Sequence, residues 1–269
     1  AALDWYRDFR YISPKSFLNF DKVFICYNHL TAGSRSYRLH LAAELKEANV
    51  LDKGYVSLFP DSNWEIDCPL DPKAVDKVKC FLKSIDTPLI VDTQKPNGEL
   101  SAKVSLDSLT KGLWHIVTET VFFDSKLHLT EKIFKPIVAK RPFILAGAPG
   151  NLAYLRSYGF KTFDRWIDES YDDEPDHYVR IEKIAHQVKR ICQQDPAGVY
   201  AEMQETLEYN FNHFYNGFRD LIVNELVDNF YNILCRINNG RQPNNHSRYH
   251  QRYDIDPYYL AQVKKRLQQ

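Results

Sequence analysis

The chain has 269 residues, enough for one large domain or two smaller ones around a sizeable core. Its 35 basic and 35 acidic residues cancel, so overall charge makes no case for a dedicated nucleic-acid or membrane-surface protein, and only a local basic patch stays open. No apolar run approaches the roughly 20 residues that cross a bilayer, so no membrane span is expected.

The five cysteines are Cys26, Cys68, Cys80, Cys192 and Cys235. They are odd in number and lack C-x-x-C spacing, which argues against a disulfide framework or a structural zinc site. Reduced thiols in a cytoplasmic protein are the expectation. The chain opens on Ala rather than Met and is expected to be a trimmed piece, so the lack of a visible leader weighs little. Aromatic residues are plentiful (17 Tyr, 16 Phe, 4 Trp), which suits cores and also sites that stack on rings or sugars.

Residues 1–20 are aromatic and show no clear period. Residues 22–30 (KVFICYNHL) predict a short buried strand, and TAGSRS (31–36) a polar loop. Residues 37–54 predict an amphipathic helix with Leu41, Leu45 and Ala48 on one face and Gly54 as its stop. YVSLF (55–59) predicts a second strand. Strand, loop, helix, strand is the rhythm of an open parallel sheet. Residues 60–86 are acidic and partly helical. PLIVD (88–92) reads as a strand or extended piece, and TQKPNGEL (93–100) as a loop.

GLWHIVTETVFF (112–123) is a strong strand pattern. In the following segment Thr130 can cap a helix whose Ile133, Phe134, Ile137 and Val138 share a face. PFILAG (142–147) predicts another buried strand, APGN (148–151) a turn, LAYLRSYG (152–159) a short helix ended by Gly159, and FKTF (160–163) a further strand. From about residue 175 the pattern turns helical, with two long amphipathic helices. A polar linker (238–254) and a short helix over 257–268 complete the chain. The expected division is therefore an α/β region over 1–174 and a helical C-terminal region over 175–269.

G-x-G-x-x-G, the phosphate-loop pattern, H-E-x-x-H and G-x-S-x-G are all missing, as is a D-x-D pair for a metal on a nucleotide sugar. The acidic run 168–173 reads as a helix-entry cap or a solvated turn. His29, His115 and His128 lack metal-ligand spacing and read as satisfied polar residues. Two strand-to-helix junctions remain, and ligands of open parallel sheets sit at such places. The first runs from Asn28 to Arg38 and carries Arg35. The second runs from Glu119 to Lys135 and carries Thr130, Glu131 and Lys132. Cations at a helix start oppose the helix dipole, which makes sense if an anion lies between them. A carboxylate beside them can hold the vicinal hydroxyls of a ribose. The same residues also fit an ordinary wet helix start, and pattern alone leaves both readings open.

The order of residues in WHIVTETVFFDSKLHLTEKIFKPIVAKRPFILAGAP (114–149) resembles the donor-binding motif of the α1,3-fucosyltransferase-like glycosyltransferases. FICYNHLTAGSRSYRLHLAAEL (24–45) is similar to the family's strand-loop-Arg-helix element, and GFKTFDRWIDESYD (159–172) to the stretch that closes its donor lobe. The likeness spans roughly 22–175. It implies a Rossmann-like, GT-B-type donor lobe with a reduced or absent acceptor lobe, or other domains in a longer chain.

By position it implies that Glu131 binds the donor ribose and Lys132 the diphosphate. It implies that Arg38, with Arg35 second, neutralises the leaving phosphate. Asn28, Glu119, Thr130 and Lys135 would line the same cleft. The implied reaction is inverting transfer from a nucleoside-diphosphate sugar, with GDP favoured, to the hydroxyl of a glycan or other acceptor. The implied chemistry needs no metal and no cofactor beyond the donor itself, and the catalytic base is unassigned. Two rivals stand beside it: a nucleotide-binding phosphotransferase or hydrolase, and a non-catalytic binding module descended from such a lobe.

Overall fold

The computed structural model describes residues 2–12, 20–60, 63–86, 88–89 and 106–238, with side chains as far as Ile233. The chain divides into two compact units, residues 1–215 and 216–269. No described helix is long and apolar enough to cross a membrane.

The first unit is an α/β layer structure. Its elements are α1 (Ala2–Trp5), β1 (Lys22–Tyr27), α2 (Tyr37–Glu47), β2 (Gly54–Ser57), α3 (Pro72–Lys83), α4 (Leu106–Thr110), β3 (Gly112–Thr118), α5 (Glu131–Val138), β4 (Phe143–Ala146), α6 (Asn151–Ser157), α7 (His177–Ile191), α8 (Pro196–Glu202) and α9 (Gln204–Asn216). The four strands form one all-parallel sheet in the order β2-β1-β3-β4. From β1 the chain first moves outward to β2, then crosses back to β3 and β4. Strand order therefore reverses between β1 and β3, the switch point where open sheets of this kind leave a crevice. Every residue of the inner strand β3 is buried, and so is every residue of β4 at the sheet's edge, as parallel strands covered on both faces require.

Several expectations are corrected. Helix α2 is not amphipathic: eight of its eleven residues are buried, including Arg38 and His40. It packs against both α3 and α7, so its outer side is covered too. His40 is accommodated by Glu44 at 3.1 Å, and Lys77 of α3 neutralises Glu44 at 2.5 Å. Strand β3 ends at Thr118, and residues 119–130 are loop rather than strand. FKTF (160–163) pairs with no strand among the described residues. Phe160 and Phe163 are instead plugs, with Phe163 edge-on to Trp114 and Phe143. Leu89 makes an antiparallel bridge to Leu58, while residues 90–92 of the proposed extended piece lie outside the described residues.

The long C-terminal helical pattern is broken into α8, α9 and α10 (Phe218–Asn238). Asp195 caps α8 through the N–H groups of Ala197 and Gly198, with Pro196 at the first helical position. Helix α7 packs on α2 and β4, so it belongs to the α/β unit and not to a separate helical region. Helix α10 belongs to the second unit. The expected linker from 239 and the helix over 257–268 lie outside the described residues.

Candidate functional site

The first junction is closed by its own side chains. Arg38 is only 4 % exposed. Its guanidinium donates to the carbonyls of Leu30 at 2.7 Å, Thr118 at 3.1 Å and Glu119 at 3.2 Å. Tyr37 donates its hydroxyl to Glu119 O at 2.6 Å, and its ring stacks on Phe122 with centroids 4.0 Å apart. Asn28 joins the strand ends, accepting from Thr118 Oγ1 at 2.6 Å and donating to Cys26 Sγ at 3.3 Å. Burial pushes the Cys26 thiol up to about 11, so it stays protonated at neutral pH. Arg38 and Asn28 thus tie the carboxyl ends of β1 and β3 together. Arg35, in the short turn Gly33–Arg35, is partly exposed, and its guanidinium makes no hydrogen bond or ion pair among the described residues.

The second junction is built differently. Glu119 leaves β3 fully buried, and its carboxylate accepts from the Thr130 N–H at 3.0 Å and the Thr130 hydroxyl at 2.5 Å. One buried carboxylate therefore fixes the start of α5 against the end of β3. Thr130 caps α5 by accepting from the Lys132 N–H at 3.3 Å, as the sequence predicts. Its Oγ1 also accepts from Lys132 Nζ at 3.1 Å, and the same ammonium reaches Glu131 Oε1 at 3.4 Å. The result is a relay, Glu119 to Thr130 to Lys132 to Glu131. The Glu131 and Lys132 side chains keep 19 % and 30 % of their surface accessible, enough to meet a ligand.

Two lysines surround the Glu131 carboxylate. Burial pushes the Glu131 carboxyl up, but Lys132, its own backbone N–H and Lys135 outweigh that and hold it below the usual carboxylate range. Burial draws Lys135 below the usual lysine range, against the pull of Glu131. The Lys135 ammonium makes no hydrogen bond or ion pair among the described residues. Tyr6 lies close enough to feel Glu131: burial first, and then that charge, push its hydroxyl up. His115, on β3, is a structural residue whose Nε2–H donates to Leu109 O at 2.8 Å, and burial drives it down to about 3.

The loop between β3 and α5 is held at both ends. Arg180 of α7 donates to Phe122 O at 2.6 Å and lies over the Phe122 ring. Asn151, at the start of α6, exchanges hydrogen bonds with the backbone of His128 at 3.1 and 3.4 Å. Gly147 permits this approach, since a Cβ there would stand 2.5 Å from Asn151 Nδ2. Gly150 supplies the left-handed residue (φ +81°) before α6. The acidic run does act as a cap, though for a remote helix: Asp172 accepts from the Leu152 and Ala153 N–H groups of α6. Burial raises its pKa.

Of the eight candidates, the structure joins Glu119, Thr130, Glu131 and Lys132 directly, with Lys135 one turn further along α5. It places Arg38 and Asn28 in the neighbouring strand-end network, where they meet Glu119 and Thr118. Tyr37, Asn151, Asp172 and Arg180 complete the scaffold and carry no local sequence signal, because each acts on backbone far away in the chain. Compared with protein-family models, with curated proteins and with solved structures, the chain shows no match.

Proposed function

We propose that the chain is a glycosyltransferase that moves a sugar from a nucleoside-diphosphate sugar to an acceptor hydroxyl, the sheet serving as a GT-B-type, Rossmann-like donor lobe. The observation that carries this reading is the Lys132 ammonium, held beside the Glu131 carboxylate at the accessible N-terminus of α5 by a buried carboxylate and a threonine. Glu131 receives the two ribose hydroxyls as a charged acceptor. Lys132 and Lys135 meet the diphosphate, with the N-terminal end of the α5 dipole adding a partial positive charge.

In the transfer, the acceptor oxygen bonds to the anomeric carbon while the bond to the diphosphate breaks. The electron pair leaves on the phosphate oxygen, where preorganised cations stabilise it. The acceptor proton passes to a carboxylate base. Likeness of the residue order favours inversion, metal independence and a GDP-linked donor. On this reading the enzyme works in the cytoplasm, where its five cysteines stay reduced. The second reading, a binding module that holds the donor without transferring it, is favoured by Arg38, whose guanidinium is already engaged with three carbonyls.

The test is a thermal-shift and calorimetric panel of nucleoside diphosphates and nucleotide sugars, with Glu131→Ala and Lys132→Ala alongside. Stabilisation by one nucleotide family, lost in both variants, is the expected result. If no nucleotide shifts the melt, the transferase reading fails. Binding without release of sugar or nucleotide selects the binding module. Triphosphates that bind only with Mg²⁺ select a phosphotransferase.

A further inference from the structure

We infer that His177, the first residue of α7, is an acid-sensitive latch on the loop 119–130: a proton taken up there loosens the start of α7 and, with it, the loop that leads into α5. The latch stands whether or not the site takes a nucleotide, since packing alone builds it.

Two histidines meet where α2, α3 and α7 come together. His40 of α2 and His177 of α7 both lie against the ring of Tyr178, with centroids 5.9 and 4.0 Å away. Phe123, from the loop, stands edge-on to His177 at 5.0 Å. Each histidine has a buried nitrogen with no hydrogen-bond partner among the described residues, Nδ1 of His40 and Nε2 of His177. The Glu44 carboxylate, 3.1 Å from His40 Nε2, holds the hydrogen of that ring on Nε2 and leaves Nδ1 bare. His177 is the more sensitive of the two. Its cation would carry an Nε2–H buried without an acceptor, and a positive charge at the first residue of a helix opposes the dipole.

The charges around His177 do not rescue that cation. Asp176 and Asp71 attract it, but each is already a helix cap: Asp176 accepts from the N–H groups of Tyr178 and Val179, and Asp71 from that of Ala74. Phe123 brings no charge. Behind His40, Glu44 is paired with Lys77. Burial first, and then Arg180 and His40, outweigh the two carboxylates and hold His177 below its ordinary value of 6.5.

The same turn of α7 grips its neighbours. Arg180 donates to Phe122 O at 2.6 Å, which holds the loop, and the Tyr178 hydroxyl accepts from the Asp71 N–H, which holds the start of α3. An opened turn frees His177 to take its proton, so acid favours the open form. The latch is fully engaged above pH 6.5 and weakens as pH falls below it towards the folded value. One linked proton limits the change in opening to about tenfold per pH unit.

Hydrogen–deuterium exchange of the 269-residue chain at about pH 7.5 and about pH 5.5, corrected for intrinsic rates, tests this. Peptides over 119–130 and the first turn of α7 are expected to exchange several-fold faster in acid, while β4 and α9 keep their protection. His177→Phe keeps a ring against Phe123 and Tyr178 but cannot titrate, and its loop should be equally protected at both values. If that variant fails to fold, His177→Gln takes its place. Equal protection of the loop in the parent at both values overturns the inference. So does a pH effect that survives in the variant, or a loss that spreads equally to β4 and marks general acid unfolding. No nucleotide enters the measurement, so the latch can fail while the transferase reading stands.

Discussion

The two strand-to-helix junctions at the centre of the sheet start from the same ingredients and end in opposite states. At the end of β1, Arg38 turns inward and spends its guanidinium on three carbonyls. At the end of β3, Lys132 is tethered to a threonine and a glutamate but keeps part of its surface accessible. The difference lies in which group closes the strand end. Where the cation itself ties the backbone together, it is structural. Where a buried carboxylate closes the strand end, the cation beside it keeps accessible surface.

Four measurements test this contrast. The largest effect is expected from Arg38→Met, which strips a charged donor from three carbonyls in a buried site. At roughly 1–2 kcal/mol for each, the loss is about 3–6 kcal/mol in urea unfolding. Nucleotide affinity of the fraction that folds should stay near that of the parent. A variant that is fully stable but blind to nucleotide would reverse the assignment of the two junctions.

Lys132→Ala should do the converse. Ligand affinity drops by about tenfold or more through loss of a charge-assisted contact, while stability moves by less than about 1 kcal/mol. Equal losses of stability in both variants would erase the distinction.

Glu119→Gln probes the relay between them. It keeps one acceptor but turns an N–H₂ group towards the Thr130 donors, and should cost about 1–3 kcal/mol. Ligand affinity should fall by less than in Lys132→Ala, since Lys132 is only loosened. No change in either quantity would show that the carboxylate does not position Lys132.

The smallest effect concerns Lys135 and pH. Its folded pKa lies below its ordinary value, 10.5, so the unfolded chain binds this proton more tightly. Stability therefore rises as pH climbs from the folded value towards 10.5, and the charged form costs stability below that window. Lys135→Met should be slightly stabilising at neutral pH, with the gain shrinking as pH climbs towards 10.5 and gone above it, while donor affinity falls. A stability difference independent of pH would remove the case for a buried cation there.

Much of this was legible from residues alone. The β3-to-α5 segment carries its own instructions: a buried strand, a Thr cap, and Ile133, Phe134, Ile137 and Val138 on one face, all of them buried. The first strand, β4, α6 and the parallel arrangement are equally local in origin. Other features misled for identifiable reasons. Helix α2 has no polar face because α3 and α7 cover it, and no periodicity reports what another element covers. FKTF (160–163) has strand-like residues, but its phenylalanines fill gaps beside Trp114 and Phe143 instead of joining the sheet. The helix break at Gly217, between α9 and α10, hides inside a continuous helical pattern.

Residue pattern was enough for the α/β class, the capped start of α5 and the adjacency of Glu131 and Lys132 there, since caps and periodicities act within a few residues. Which cation is buried against carbonyls and which keeps accessible surface was settled by the tertiary structure. Arg38 meets Thr118 across 80 positions of chain, and Glu119 meets Thr130 across a loop of irregular backbone. Such bonds form because buried carbonyls and carboxylates require partners wherever the fold brings them, and local pattern holds no record of where that will be.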